Sequence, residues 1–405
     1  MSGLNTMLAD HLASAPHRSR PVVLTTVPYY LPGFKGGGKL LTVRNLVAGL
    51  RDQFDFKVLT ADRDLGDTRP YSDIALDRWN RYADCEIYHA SARRASTASI
   101  CRSLKNADYD IIHLNSLWSR RFGLVPLMLR KAGLIPRKPM IIAPRGELGP
   151  GAVAIKSARK RALLAIARCL GWFADVTWQA SCPQEAGDIQ RLARAGGRIV
   201  IAPDLLSGAY RSWKVSQYRK QRGRLEIVFL SRICPKKNLH SAIEALRGLS
   251  GDIRFRIAGP IDDAAYWARC LKLIRTLNSN IRTDYLGPLS TVGVADCLAH
   301  HGLLFLPSAN ENFGFVILEA LLAGCPVLLS DQTPWRDLER RGIGWDLALS
   351  KPTLIRAALR ECIAMDTDVH KLMSERARQY ATEFIASDDS AVRNAAMFHA
   401  ALDGR

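Results

Sequence analysis

Residues able to handle phosphates and sugars gather in two short stretches of the second half of the chain. The first is Asn310-Glu311-Asn312-Phe313-Gly314-Phe315, which runs on to Glu319 and then to Gly324-Cys325-Pro326. The apolar run Leu303 to Leu306 before it predicts a strand, and Gly324 with Pro326 stops a helix that begins near Gly314. The amides of Phe313, Gly314 and Phe315 then sit at the positive end of the helix dipole, where a glycine lets a phosphate come close. That is an anion cradle. Glu311 and Glu319, with seven residues between them, flank it; Glu319 lies five residues into the helix, about 7.5 Å along its axis. A carboxylate cannot bind phosphate but accepts hydrogen bonds from paired hydroxyls, so one suits a sugar and the other a ribose. The competing reading is a solvated Glu beside a buried helix.

The second stretch is Ser231-Arg232-Ile233-Cys234-Pro235-Lys236-Lys237-Asn238, between an apolar run and a helix that Asn238 can cap. Arg232 and Lys237 would emerge at the same edge as the cradle. A leaving nucleoside diphosphate gains negative charge as its bond breaks, and fixed cations in a partly dry cleft stabilise it. The competing reading is a solvated basic loop.

The elements that must position these residues are short apolar runs alternating with helical patterns in both halves, the pattern of parallel sheets covered by helices. Pro21 to Val27, Phe56 to Thr60, Ile111 to Leu114, Met140 to Ala143 and Val176 to Ala180 read as strands of the first half. Glu226 to Ser231, Arg254 to Ala258, Thr283 to Leu286, Leu303 to Pro307 and Val327 to Ser330 read as those of the second. The expected fold is α/β, two doubly wound parallel-sheet (Rossmann-like) domains facing a cleft. The first domain takes residues 1–206, a polar linker 207–224, the second domain 225–385, and residues 386–405 a terminal helix packing back toward the first domain.

In the first half, a strand, a glycine loop (Pro28 to Gly38) and a helix from about Leu40 form one unit. Gly33-x4-Gly38-Lys39 nearly matches a P-loop, but Leu40 stands where magnesium needs a hydroxyl, and no strand ends in a Walker-B acid. A P-loop-type nucleotide-dependent transferase is the second enzymatic reading. His113 ends a buried strand two residues before Asn115; it is either a catalytic imidazole or a satisfied structural one. Arg145 could bind an acceptor phosphate and Glu147 position a hydroxyl, or the two could form an ion pair within the domain. Asp62-Arg63-Asp64 reads as a turn rather than a metal motif, and His300-His301 has no partner at ligand spacing, so no bound metal is expected.

Together these segments resemble the nucleotide-sugar glycosyltransferases of family 4, which have the two-domain GT-B fold. The resemblance rests on Ser231-Arg232-x4-Lys237-Asn238, on Glu311-x7-Glu319 and on Gly324-x-Pro326-Val327. It extends to Tyr109-Asp110-Ile111-Ile112-His113, to Ala143-Pro144-Arg145-Gly146-Glu147, and to Tyr29-Tyr30-Leu31-Pro32-Gly33 with Gly36-Gly37-Gly38. The last two are similar to the branch that builds bacterial exopolysaccharide and O-antigen. The resemblance implies a catalytic set of Arg232, Lys237, Glu311 and His113, with Arg232 and Lys237 on the donor diphosphate. Gly37, Gly38, Phe313, Gly314, Phe315 and Glu319 would bind the donor, Glu319 at its ribose. Asn115, Arg145 and Glu147 would meet the acceptor, although Asn115 stands where the family often has a second His. It further implies retention of anomeric configuration and a nucleoside diphosphate sugar as substrate, with no separate cofactor.

Composition sets the outer limits. The chain has 405 residues, 48% hydrophobic and 23% charged, which suits two or three soluble domains. Its nine cysteines are separated by at least 12 residues, against a paired metal or redox motif and for a reducing, cytoplasmic setting. The first 20 residues lack a hydrophobic signal core, and the most apolar run, Phe313 to Ser330, carries Glu319. The net charge is +19, and it is lopsided: residues 1–200 hold 30 basic and 16 acidic side chains. Ten basic residues against Glu147 alone fall between Arg130 and Arg168, many on an expected helix Ala154 to Leu170. On that helix Ile155, Leu163, Ile166 and Leu170 would share one face, with Lys156, Lys160, Arg161 and Arg168 elsewhere. This pattern is expected either to be solvated or to dock on an anionic membrane bearing a lipid-linked glycan acceptor. A basic nucleic-acid-binding protein is the non-enzymatic rival; it lacks the interleaved aromatics of RNA-binding modules, and no nucleic acid partner is expected.

Overall fold

The computed structural model describes residues 20–92, 96–149, 157–193 and 197–404. Eight strands form the first sheet: β1 (Val22–Thr26), β2 (Asp55–Ala61), β3 (Trp79–Arg81), β4 (Glu86–Ala90), β5 (Ile111–Leu114), β6 (Met140–Ile142), β7 (Thr177–Ala180) and β8 (Arg198–Ile201). Their order is β3-β4-β2-β1-β5-β6-β7-β8, parallel except where β3 runs against β4. Six strands form the second: β9 (Arg224–Leu230), β10 (Asp252–Ala258), β11 (Ile281–Gly287), β12 (Leu303–Leu306), β13 (Val327–Ser330) and β14 (Gly344–Leu347), all parallel in the order β11-β10-β9-β12-β13-β14. Each parallel pair needs a crossover that covers a face of the sheet, so central strands are buried on both faces. That is why β1, β5, β12 and β13 carry only buried residues.

The strand order reverses between β1 and β5 in one sheet and between β9 and β12 in the other. Helices leave in opposite directions at such a point, opening a crevice beyond the carboxyl ends of the strands. The loops that emerge there are Pro28–Gly37 and Asn115–Ser119 in the first domain, Ser231–Asn238 and Pro307–Gly314 in the second. All four switch-point loops carry the residues singled out by sequence.

Between the domains the chain is strapped down rather than loose. Ser216 and Gln217 amides donate to the carbonyls of Ala323 and Ala299 (both 2.7 Å). The Lys220 ammonium is buried and donates to the carbonyls of Ile363 and Met365 (both 3.0 Å). The last helix, Ser390–Leu402, returns to the first domain. Its Phe398 is fully buried against Phe54, Phe56 and His113. Its Asn394 accepts from Gln179 (2.9 Å) and donates to the Pro203 carbonyl (2.7 Å).

Three expectations need correction. The strands β3, β4, β8 and β14 escaped the sequence reading because they are short and carry polar or charged residues. The basic helix is observed over Ser157–Cys169, and Ala154, Ile155 and Lys156 lie outside the described residues. Its buried stripe is Leu164 and Ala167, whereas Ile166 and Leu170, expected to share the apolar face, are 52% and 62% exposed. Because Phe398 fills a closed aromatic site, Phe398→Ala should cost about 3–5 kcal/mol of first-domain stability. Chemical denaturation should show it as a lower midpoint for that domain's transition.

Candidate active site

The two sheets face each other across a cleft of about 520 Å³ lined by both domains. On the first wall, Gly37 adopts φ 65° and starts the helix Gly38–Leu50. A Cβ there would lie 3.8 Å from the Arg232 side chain, so the glycine loop closes directly over the second domain's cation. Asp64 holds that loop: one oxygen accepts from the amides of Phe34 (2.7 Å) and Lys35 (2.9 Å), the other from Leu65 (2.8 Å). Asp62 accepts from Arg63 and the Ala92 amide. The Asp-x-Asp segment is thus a brace for the glycine loop. Lys39, the residue behind the P-loop alternative, is ion-paired with Glu147.

On the second wall, Arg232 leaves β9, pairs with Asp262 at 2.9 Å and keeps a third of its side chain exposed to the cleft. Lys237 follows the short turn Pro235–Lys237 and pairs with Glu311, which also accepts from Ser308 (2.9 Å). Burial pushes the Glu311 carboxyl up, but Lys237 beside it and Lys236 nearby outweigh burial and hold it below the usual range. Glu311 is therefore ionised and clamps Lys237. Gly314 adopts φ 79° ahead of the helix Phe315–Ala323, and a Cβ there would meet Ile317 at 2.7 Å, which excludes other residues. The amides of Phe313, Gly314 and Phe315 have no hydrogen-bond acceptor among the described residues, so the helix terminus presents free donors. Phe313 is fixed by an edge-on contact with Phe315 and a tilted one with Trp335, and its carbonyl accepts from Trp335 Nε1 (2.7 Å).

Glu319 lies deeper, 6% exposed, and accepts from Tyr210 Oη at 3.0 Å. Burial raises its carboxyl to about 7 despite that bond and the positive charge of Arg44. Tyr210 and Trp213, whose Nε1 donates to the Glu319 carbonyl (3.0 Å), come from the segment between the sheets.

The first-domain candidates are placed differently. His113 is fully buried with Nε2 2.9 Å from Gln179 Oε1, and burial, then Arg145, push it down to about 3. It is a neutral structural imidazole beneath the cleft, so the geometry does not support a catalytic His113. Asn115 is buried, donating to Thr25 (2.8 Å) and accepting from Arg145 (2.9 Å). Arg145 touches the cleft, but its guanidinium is tied to Asp204 (2.5 Å) and Asn115. Glu147 accepts from Ser116 Oγ (2.7 Å) and the amides of Leu117 (2.7 Å) and Trp118 (3.0 Å), besides Lys39. These three hold the wall in shape.

Sequence reasoning missed Lys236, Arg44 and Trp118, which line the same cleft. Lys236 is partly buried, and desolvation followed by repulsion from Lys237 lowers its ammonium to about 8. The adjacent Lys-Lys pair was the available signal for it. Arg44 sits five residues beyond Lys39 on the same helix, and its place is visible only once that helix is known to line the cleft.

Residues 214–380 match the family model described as "Glycosyl transferases group 1". The chain is 24% identical over 178 residues to an N-acetyl-alpha-D-glucosaminyl L-malate synthase of Bacillus anthracis, covering 43% of this chain and 46% of the relative. It thus spans about half the length of that curated relative. Its fold is similar to sucrose-phosphate synthase from Thermosynechococcus elongatus (TM-score 0.71, 15% identity, 95% and 100% of the two chains). It is also similar to Anabaena Alr3699/HepE in complex with UDP and glucose (TM-score 0.66, 17% identity, 94% and 99%). The likeness to the group 1 glycosyl transferases thus lies in residues 214–380, and the chain as a whole has the two-domain GT-B fold.

Proposed function

We propose that the chain transfers a sugar from a nucleoside diphosphate sugar to an acceptor hydroxyl with retention of configuration. The observation that carries this reading is the convergence of Arg232, Lys236, Lys237 and the free amides before Phe315–Ala323 on one cleft, opposite the glycine loop. The bond between the anomeric carbon and the diphosphate oxygen breaks, and its electron pair goes to the diphosphate. These cations and amides stabilise the charge that develops. The acceptor oxygen bonds to the anomeric carbon from the same face, and its proton passes to the departing phosphate oxygen. Glu319, released from Tyr210, receives the ribose hydroxyls, while Glu311 fixes Lys237. The HepE structure holds UDP, which makes uridine nucleotides the first donors to test.

The acceptor in this reading is a lipid-linked glycan of surface polysaccharide synthesis, reached from an anionic membrane face. Supporting it, Arg161, Ile166 and Arg168 are all exposed on the helix Ser157–Cys169, basic and apolar groups together that suit a headgroup layer. No helix among the described residues is long and apolar enough to cross a membrane.

Screening nucleotide sugars by thermal shift identifies the donor. With that donor, Arg232→Ala should lower kcat by about two to three orders of magnitude with little loss of folding, and Lys237→Ala by as much, with an added loss of stability because it leaves the buried Glu311 carboxylate unpaired. Donor turnover at the wild-type rate would remove the residue from the site. Transfer should persist in excess EDTA, because protein groups already match the diphosphate charge; loss restored by magnesium or manganese would contradict this. Because the Glu319 carboxyl titrates at about 7, the protonated form dominates below that pH and accepts hydroxyl bonds poorly. Donor affinity should therefore rise as pH increases through 7 and level off above it. Glu319→Gln should bind more weakly, by about 1.5–3 kcal/mol, and lose this pH dependence in calorimetric titrations.

A further inference from the structure

A second hollow opens on the first domain beside the cleft. It holds about 450 Å³ and is formed by the loop after β2, where Arg69, Pro70, Tyr71, Ser72 and Asp73 line it together with Pro32 of the glycine loop. That volume is in the range of small-molecule sites. The two spaces are neighbours, because Pro32 lines the hollow and Gly33 the cleft. The wall between them is thin: a Cβ on Gly33 would lie 2.5 Å from the Tyr71 hydroxyl. The loop of the hollow is also fixed to the glycine loop. The Tyr71 amide donates to the Asp62 carbonyl (2.9 Å) and its hydroxyl to the Tyr30 carbonyl (3.4 Å), Arg63 donates to the Thr68 carbonyl, and Asp67 pairs with Lys35 at 2.6 Å. The Asp62-Arg63-Asp64 segment therefore braces both spaces.

The groups on this surface are those that read a sugar. Phe34, next along the glycine loop, lines the cleft with 48% of its surface exposed, and Asp64 holds its amide. A ring fixed in that way offers apolar area to the C–H face of a sugar at little entropic cost. In the hollow, Arg69 is exposed, and its side chain has no partner among the described residues. Its guanidinium presents a planar fork of donors. Asp73 takes the Ser72 hydroxyl on one oxygen (2.9 Å), and the other has no partner among the described residues. A carboxylate of this kind accepts from paired hydroxyls. One uncommitted cation beside one carboxylate leaves the hollow near neutral, which suits an uncharged sugar better than a phosphate or an anionic headgroup.

We infer that this hollow is a second glycan subsite, in which Arg69, Tyr71 and Asp73 take a sugar unit further along the acceptor while the unit that receives the transferred sugar lies against Phe34 in the cleft. This rests on the glycosyl-transfer reading above and deepens it: the acceptor is an oligosaccharide, recognised beyond the unit that reacts.

The test uses the full chain with UDP filling the donor site, applied to an array of bacterial oligosaccharides of increasing length, from single sugars upward. Affinity should rise by about tenfold at the length that first reaches the hollow. Arg69→Ala and Asp73→Asn should abolish that step while leaving UDP affinity and the weaker binding of single sugars as in the wild type. Phe34→Ala should weaken binding at every length by about tenfold. All three side chains are exposed on loops, so the variants should fold. Retention of no glycan, binding independent of length, or a step that survives both Arg69→Ala and Asp73→Asn would overturn the inference while leaving the donor reading intact. Phe34-dependent retention on phosphatidylglycerol vesicles, with no glycan bound, would assign this surface to a membrane and overturn it as well. Failure of the wild-type chain to bind UDP would overturn both the inference and the donor reading.

Discussion

Mutual repulsion among cations is the constraint on which the cleft depends. Arg232, Lys236 and Lys237 leave one loop within six residues, and Lys39 faces them from the other domain. Two unit charges ~6 Å apart repel by about 3 kcal/mol at an effective dielectric of ~20. The loop survives because each neighbour has a counter-charge: Asp262 for Arg232, Glu311 for Lys237, Glu147 for Lys39. Lys236 has no ion pair among the described residues, and its ammonium is lowered to about 8. The cleft thus keeps a cationic surplus held in place by carboxylates, which a diphosphate would neutralise.

The fold supplies the geometry for this arrangement. Both sheets reverse strand order at the point facing the cleft, so four loops that are distant in sequence meet at two carboxyl edges. Asp64 fixes one glycine loop through backbone amides, and Gly314 turns the chain into the helix whose N-terminus points at the same space. The segment between the sheets adds a link of its own, because Tyr210 occupies the Glu319 carboxyl. Ribose binding at Glu319 would release the segment that joins the domains.

The second-domain site was legible in sequence because its chemistry sits on contiguous loops. Arg232 to Lys237 and Glu311 to Glu319 each span less than ten residues, and glycine, proline and the apolar runs fix which end of the strand they leave. The first domain was harder to read. His113, Asn115 and Arg145 are polar residues at strand ends, yet they turn inward: His113 to Gln179, 66 residues away, and Arg145 to Asn115 and to Asp204, 59 residues away, while Gln179 in turn bonds Asn394 from the last helix. Arg145 itself adopts φ 53°, a conformation that carries no signature in an arginine. Trp118 escaped for a related reason: only the bonds from Glu147 reveal that its ring is fixed at the cleft. The basic helix showed its charge in the sequence but not its orientation, since Leu164 and Ala167, rather than Ile166 and Leu170, meet the sheet.

The nucleotide diphosphate is expected to bind beside the ion pairs of the second domain, on the cationic surplus that Asp262 and Glu311 hold in place. A crystal structure of the chain with UDP tests it most directly. The diphosphate should lie within hydrogen-bond distance of Arg232, Lys237 and the Gly314 amide, with the ribose hydroxyls on Glu319 and Tyr210 displaced. A diphosphate bound elsewhere, with Lys237 still held by Glu311 alone and Tyr210 still on Glu319, would contradict the account.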